Sequence, residues 1–160
     1  MQKIKIIAMG HLTFPPFRDA AAEYIKRLEK RFSVTVVEPK PQQLSHNPGE
    51  NEIKIALEKE KSAIMAEIQP RSAVIAMCVE GREMSSEDFS AMLEGYAVSG
   101  VSEVVFVIGS SYGLSEEIKK SADKRVSVSK MTFPHELFRV MLLEQLYRAG
   151  EISAGTKYHK

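Results

Sequence analysis

His135 and Arg139 stand one helical turn apart in SKMTFPHELFRVMLLEQLYRA, Ser129 to Ala149, a stretch whose apolar side chains would face nearly every side of a helix. An imidazole exchanges protons near neutral pH, and a guanidinium holds a phosphate or a carboxylate. At the rim of an otherwise greasy surface, the pair suits a site where an anion is anchored beside a proton-transfer group. Taken singly, His135 reads as a satisfied structural histidine. The terminal TKYHK places Tyr158 and His159 among lysines, a set suited to stacking on a base and contacting phosphates, although a frayed tail of that composition needs no role. His11, His46, His135 and His159 show no paired ligand spacing, and the chain holds one cysteine. No metal site is expected.

Two turns offer backbone rather than side chains. In VIGSSYGLSEE, Gly109 and Gly113 bracket a strand-to-helix turn, but the dinucleotide fingerprint is incomplete and no P-loop lysine follows. Glu116 and Glu117 fall in the first turn of the next helix, where the dipole welcomes carboxylates and where they would repel a phosphate. The turn is either a capped glycine corner or a loop that lets backbone approach a neutral or cationic ligand. In SKMTFPHE, Pro134 stands at the helix start, and the free amides and carbonyls before it can read the edge of a purine.

The elements that must position these residues alternate in type. Ile4 to Met9 reads as a strand, and FRDAAAEYIKRLEKRF reads as a helix, with Phe17, Ala21, Tyr24, Ile25 and Leu28 at helical spacing. SVTVVE is a second strand, and NEIKIALEKEKSAIMAEI is a charged amphipathic helix after a polar, proline-bearing loop. SAVIAMCV, a helix after Ser85, the almost wholly apolar SEVVFVIG, a short helix in LSEEIKKSADK, and RVSVS follow in order. The long helix from Pro134 comes next, then a tail from Gly150. This alternation predicts an α/β fold, a mostly parallel sheet with helices on both faces. Ligands of such sheets bind beyond the carboxyl ends of the strands, so the search narrows to the segments around Gly10, Glu80, Gly109 and Ser129.

A length of 160 residues suits one domain, 1–160, with an ordinary core. The hydrophobic share of 44% and charged share of 27% are those of a soluble protein, and no apolar run approaches a membrane span. Cys78, alone and inside an apolar run, reads as an inert thiol in a chain suited to a reducing cytoplasm. A net charge of +1 gives no general attraction to polyanions. If nucleic acid is the partner, basic residues must be concentrated locally or by oligomerisation.

FVIGSSYGLSEE, VSVSKMTFPHELFRVMLLEQLYRA and the terminal YHK, in that order and with the KIKIIAMG start and AEYIKRL helix, resemble the ribosomal RNA large subunit methyltransferase H family of the SPOUT superfamily. The resemblance implies S-adenosylmethionine as methyl donor and methylation at N3 of a pseudouridine in 23S ribosomal RNA, in assembled ribosomes. It also implies a homodimer and a C-terminal trefoil knot, which general folding rules would not suggest. The donor site it implies takes Met77, Gly109, Val128, Ser129, Lys130, Met131, Thr132 and Phe133. His135 and His159 are then candidate bases for the imide proton, Tyr158 a stacking platform, and Arg139 an anion anchor at a seam where one subunit's tail completes the other's pocket. Ser110 replaces a glycine usual in the family, which would narrow the approach to the donor. That departure motivates an alternative, a non-catalytic ribosome-binding factor that retains the fold.

Overall fold

The computed structural model describes residues 1–158. Five strands, β1 (Gln2–Ala8), β2 (Phe32–Val37), β3 (Ser72–Glu83), β4 (Glu103–Ile108) and β5 (Lys124–Ser127), alternate with five helices. The helices are α1 (Pro15–Leu28), α2 (Glu50–Ala66), α3 (Ser86–Val98), α4 (Glu116–Ser121) and α5 (His135–Ser153). The expected α/β order is present, and the sheet is parallel throughout, in the order β2-β1-β4-β3-β5.

The period of two along each strand decides which helices it meets. On central β4, Val104, Phe106 and Ile108 join a core with Leu28 of α1, Phe89 and Leu93 of α3, and Leu142 and Leu146 of α5. Val105 and Val107 face the other way, onto Ile64 of α2 and Ile118 of α4. Both faces are therefore covered, which is why EVVFVI carries no polar alternation after Glu103. Each such side chain, fully buried, contributes about 1.5–3 kcal/mol. Ser85 and Ser115 cap α3 and α4, their hydroxyls accepting from Asp88 N at 3.0 Å and Ile118 N at 3.3 Å.

Two boundaries differ from the sequence reading. Helix α5 does not stop at Gly150 but runs to Ser153, because it presses on the α1–β2 connection there. A Cβ on Gly150 would lie 3.0 Å from the Phe32 ring. Strand β3 runs past its apolar stretch to Glu83 and pairs with β5 on both sides of an irregularity, so that Met77 and Arg82 both lie opposite Val126. Gly81 makes that crossing possible, since a Cβ on it would lie 2.6 Å from the Val126 carbonyl carbon. The extension is held by backbone pairing with few buried side chains, and hydrophobic pattern could not announce it.

Gly81→Ala should therefore destabilise the fold by about 2–3 kcal/mol, because the colliding atoms are backbone. Gly95→Ala, in the interior of α3 with nothing within 4 Å of its added Cβ, should stabilise it, by about 0.5–1 kcal/mol. Urea denaturation of the two variants, read as midpoints at equal slope, checks the opposite signs.

Candidate active site

The carboxyl ends of β3, β4 and β5 open into a cleft of about 340 Å³, within the size range of small-molecule sites. Buried Met77, Ile108 and Val126 form its floor, the Gly109–Gly113 turn one wall, and the Ser127–Phe133 turn with His135 and Phe138 another. Glu80 and Lys119 form an ion pair at its rim. The hydrogen bond from Lys119 holds the Glu80 carboxyl below its ordinary value.

The glycine turn is built from its own backbone. Gly113 N donates to Ser110 O at 2.8 Å, Gly113 adopts a φ of 80°, and a Cβ on Gly109 would lie 2.3 Å from Gly113 O. Glycine is required at both positions. Ser110, expected to narrow the approach to a ligand, is engaged elsewhere: its hydroxyl donates to Glu60 Oε1 of α2 at 2.7 Å. Glu60 is buried, its Oε2 has no partner among the described residues, and burial pushes its carboxyl above the ordinary range. The opposite turn is held by serine hydroxyls. Ser127 Oγ donates to Ser129 O at 2.8 Å, and Ser129 Oγ accepts from Met131 N at 3.0 Å. Of the backbone groups expected to be free for a ligand, Ser129 O and Met131 N are thus already in use.

Helix α5 is fixed from its first two turns. Glu136 accepts from the Thr13 backbone N–H, and from Thr13 Oγ1 at 2.9 Å. The backbone hydrogen bond leads in holding this carboxyl below its ordinary value. Arg139 is 2% exposed; it pairs with Glu38 and donates to the Gly10 carbonyl at 2.7 Å. His11 Nδ1 lies 2.7 Å from Glu38 Oε2. Burial opposes the Glu38 charge, but hydrogen bonds from His11 and Arg139 outweigh it and lower the carboxyl's pKa.

Most of the residues singled out in the sequence meet here. Met77, Gly109, Val128, Ser129, Met131, Thr132, Phe133 and His135 all line the cleft. Lys130 is exposed on the same turn but is not part of the lining. Arg139, expected to anchor an anion at the site, holds Glu38 of its own chain instead and does not reach the cleft. Tyr158 also lies outside it, edge-on to Tyr147 with ring centroids 4.7 Å apart and its hydroxyl 3.4 Å from Glu144 Oε1. His159 lies outside the described residues. Sequence reasoning missed Lys119 and Phe138 as lining residues, each reading as one more position on an amphipathic helix. Cys78 also lines the cleft, half-buried, with burial pushing its thiol up, which accords with an unreactive sulfur. Among the described residues, no group of three or more His, Cys, Asp or Glu is arranged to hold a metal, and no helix is long and apolar enough to cross a membrane.

A parallel sheet whose cleft is made mainly of turns at adjacent strand ends, with one histidine at the mouth, defines an α/β small-molecule site. Residues 2–159 match the family model described as predicted SPOUT methyltransferase. A protein of Clostridium acetobutylicum with the name ribosomal RNA large subunit methyltransferase H is 43% identical over 157 residues, 98% of this chain and 99% of its own. Its namesake in Streptococcus thermophilus is 40% identical over 158 residues, 99% of each chain. The chain belongs to the SPOUT methyltransferases and, among them, to the ribosomal RNA large subunit methyltransferase H family. Solved structures agree on the fold. A probable methyltransferase from Bordetella pertussis superimposes with a TM-score of 0.55 at 14% identity, over 92% of this chain and 96% of that one. A probable methylase family protein from Haemophilus influenzae gives 0.53 at 15%, over 99% of this chain and 70% of the other.

Replacing Glu38 by Gln removes the counter-charge of a buried guanidinium and should cost about 2–3 kcal/mol near neutral pH, at the low end for a buried pair because Glu38 is partly open to water. The folded pKa of Glu38 is lowered, so its contribution is complete above the ordinary glutamate value of about 4.3 and is lost as pH falls through the lowered one. Thermal melts from neutral to acid pH should show the gap between wild type and Glu38→Gln closing in that acid window.

Proposed function

We propose that this chain transfers the methyl group of S-adenosylmethionine to N3 of a pseudouridine in 23S ribosomal RNA, acting on assembled ribosomes in the cytoplasm as a homodimer. The observation that carries this reading is the identity of 43% across 98% of the chain with a protein of that family, joined to a cleft at the matching strand ends. The cleft suits the donor: apolar Met77, Ile108, Val126 and Leu114 accept an adenine face, and turn backbone surrounds it. When bound, the donor supplies a methyl on a sulfonium, a carbon already carrying a good leaving group.

The chain's own residues have then to align the acceptor nitrogen and remove its proton. His135, half-buried at the cleft mouth on the first turn of α5, takes the proton-transfer role. Arg139 serves as a positioning residue, since its bonds to Glu38 and Gly10 fix the helix that carries His135. Lys130, which the family resemblance puts with the donor, stands exposed on the same turn, where it can close over the bound donor from outside. Tyr158 and His159 act in the partner's pocket; the position of Tyr158 outside its own chain's cleft supports that exchange. The half-buried Val140 and Met141 of α5, beside Tyr24 of α1, offer an apolar seam for the second subunit. The double pairing of β3 with β5 around Gly81 accords with a threaded C-terminal segment.

Labelled S-adenosylmethionine incubated with bacterial ribosomes lacking the modification should yield one methylated pseudouridine, and His135→Ala should slow the step by about 10²-fold or more. Absence of transfer by the wild type would remove the reading. Deleting residues 158–160 should abolish most turnover while the dimer mass in light scattering stays unchanged and the protein keeps a cooperative melt, lowered only by loss of the Tyr158–Tyr147 contact. Undiminished turnover would exclude the tail from the site.

A further inference from the structure

The near-neutral composition hides a local concentration of charge. Arg82 at the end of β3, Lys120 of α4, and Lys124 and Arg125 of β5 are all exposed, and none forms an ion pair among the described residues. They border one open groove along the edge strand β5. Glu80 pairs with Lys119, and Asp123 keeps its charge while accepting from the Val74 backbone N–H at 2.7 Å, so the groove's lining sets five cations against two carboxylates. With +1 for the whole chain, this edge is strongly positive and the remaining surface is net acidic. The groove adjoins the cleft, with the Glu80–Lys119 ion pair common to the lining of both. On the other side of β5, Arg82, Lys124 and Arg125 border a second groove against α3, whose lining holds the single acid Asp88, so the basic strip wraps the sheet edge.

We propose that this β5 edge is the surface on which a single chain holds the phosphate backbone of its RNA, feeding the target nucleotide into the adjoining cleft. The proposal rests on the reading of the chain as a ribosomal RNA methyltransferase and adds where that RNA lies. The strip supplies, within one subunit, the local concentration of basic residues that a near-neutral chain needs in order to hold nucleic acid. Phosphates are the fitting partner because the strip offers several uncompensated cations in a row with little apolar surface. Lys124 and Arg125 alone would be explained as charges that keep an edge strand from pairing with another chain. Arg82 and Lys120 lie off that strand, so edge protection does not account for them.

The discriminating variant is Arg82→Gln with Lys120→Gln, compared with Lys3→Gln and Lys30→Gln, which remove equal charge from exposed sites at the amino ends of β1 and β2. Methyl transfer to ribosomes should show KM raised about tenfold in the first variant and unchanged in the second, with kcat and calorimetric affinity for S-adenosylmethionine unchanged in both. Binding to a single-stranded RNA oligonucleotide, titrated against salt, should lose roughly 1.4 from the slope of log affinity against log salt in the first variant only. Equal effects in the two variants would reduce the strip to net charge and overturn the proposal. A raised KM with an unchanged salt slope would assign the edge to a ribosomal protein and overturn it equally. If the wild type transfers no methyl group, the enzymatic reading falls, and the salt slopes still decide the RNA surface by themselves.

Discussion

Arg139 is a charge taken almost wholly out of water, and the geometry around the cleft depends on how that charge is met. Its guanidinium reaches the Gly10 carbonyl beyond β1 and the Glu38 carboxylate beyond β2, while its own backbone belongs to α5. Two strand ends and the helix carrying His135 are thereby fixed to one group. An unpaired buried guanidinium would be costly, so the arrangement is strongly favoured as a unit. Nε has no hydrogen-bond partner among the described residues, so the charge is met through the Glu38 and Gly10 contacts. Glu136, one turn earlier, ties the same helix to Thr13. The first two turns of α5 are consequently placed by polar contacts, and the later turns by Leu142, Leu143 and Leu146 together with hydrogen bonds from Ser86 and Ser90 of α3.

The cleft follows from that fixed helix and from two places where backbone meets backbone. At Gly109 the chain turns against Gly113 with no space for a Cβ, and at Gly81 the end of β3 crosses Val126 with none either. Both are close approaches that only glycine allows. Ser110, between the two glycines of the turn, gives its hydroxyl to Glu60. A carboxyl that burial drives toward its neutral form thus supports the turn from beneath, and the departure from glycine at 110 is accommodated by α2.

The element order, the parallel sheet and the capped starts of α3 and α4 were legible because each rests on local pattern: alternating apolar strands, glycine punctuation, and serines before acidic first turns. The strand-end rule, applied without side-chain detail, led to the residues around Gly109 and Ser129 that line the cleft. What was illegible depends on long-range pairing. Arg139 reads in sequence as an available cation, and nothing local indicates that Glu38, far away along the chain, will occupy it. The reach of β3 to Glu83 was hidden because EGRE has the composition of a loop and is ordered by β5. Gly150 suggested a helix end, yet the closeness of α5 to Arg31 and Phe32 favours a residue without a side chain at that point.

Those misreadings share a cause that also separates the two residues with which the sequence reading began. His135 and Arg139 lie one turn apart and seem equivalent as polar intrusions on an apolar helix. One turn moves a side chain by about 5.4 Å along the axis, and here that step separates a residue lining the cleft from one sealed at the junction of strands. His135 keeps access to the cleft; Arg139 has lost access and can only hold. A chemically active group at the edge of a packed domain requires such a neighbour, because a helix end positioned by leucines alone could slide or rotate over a greasy surface. The charged contact inside fixes where the imidazole outside must stand.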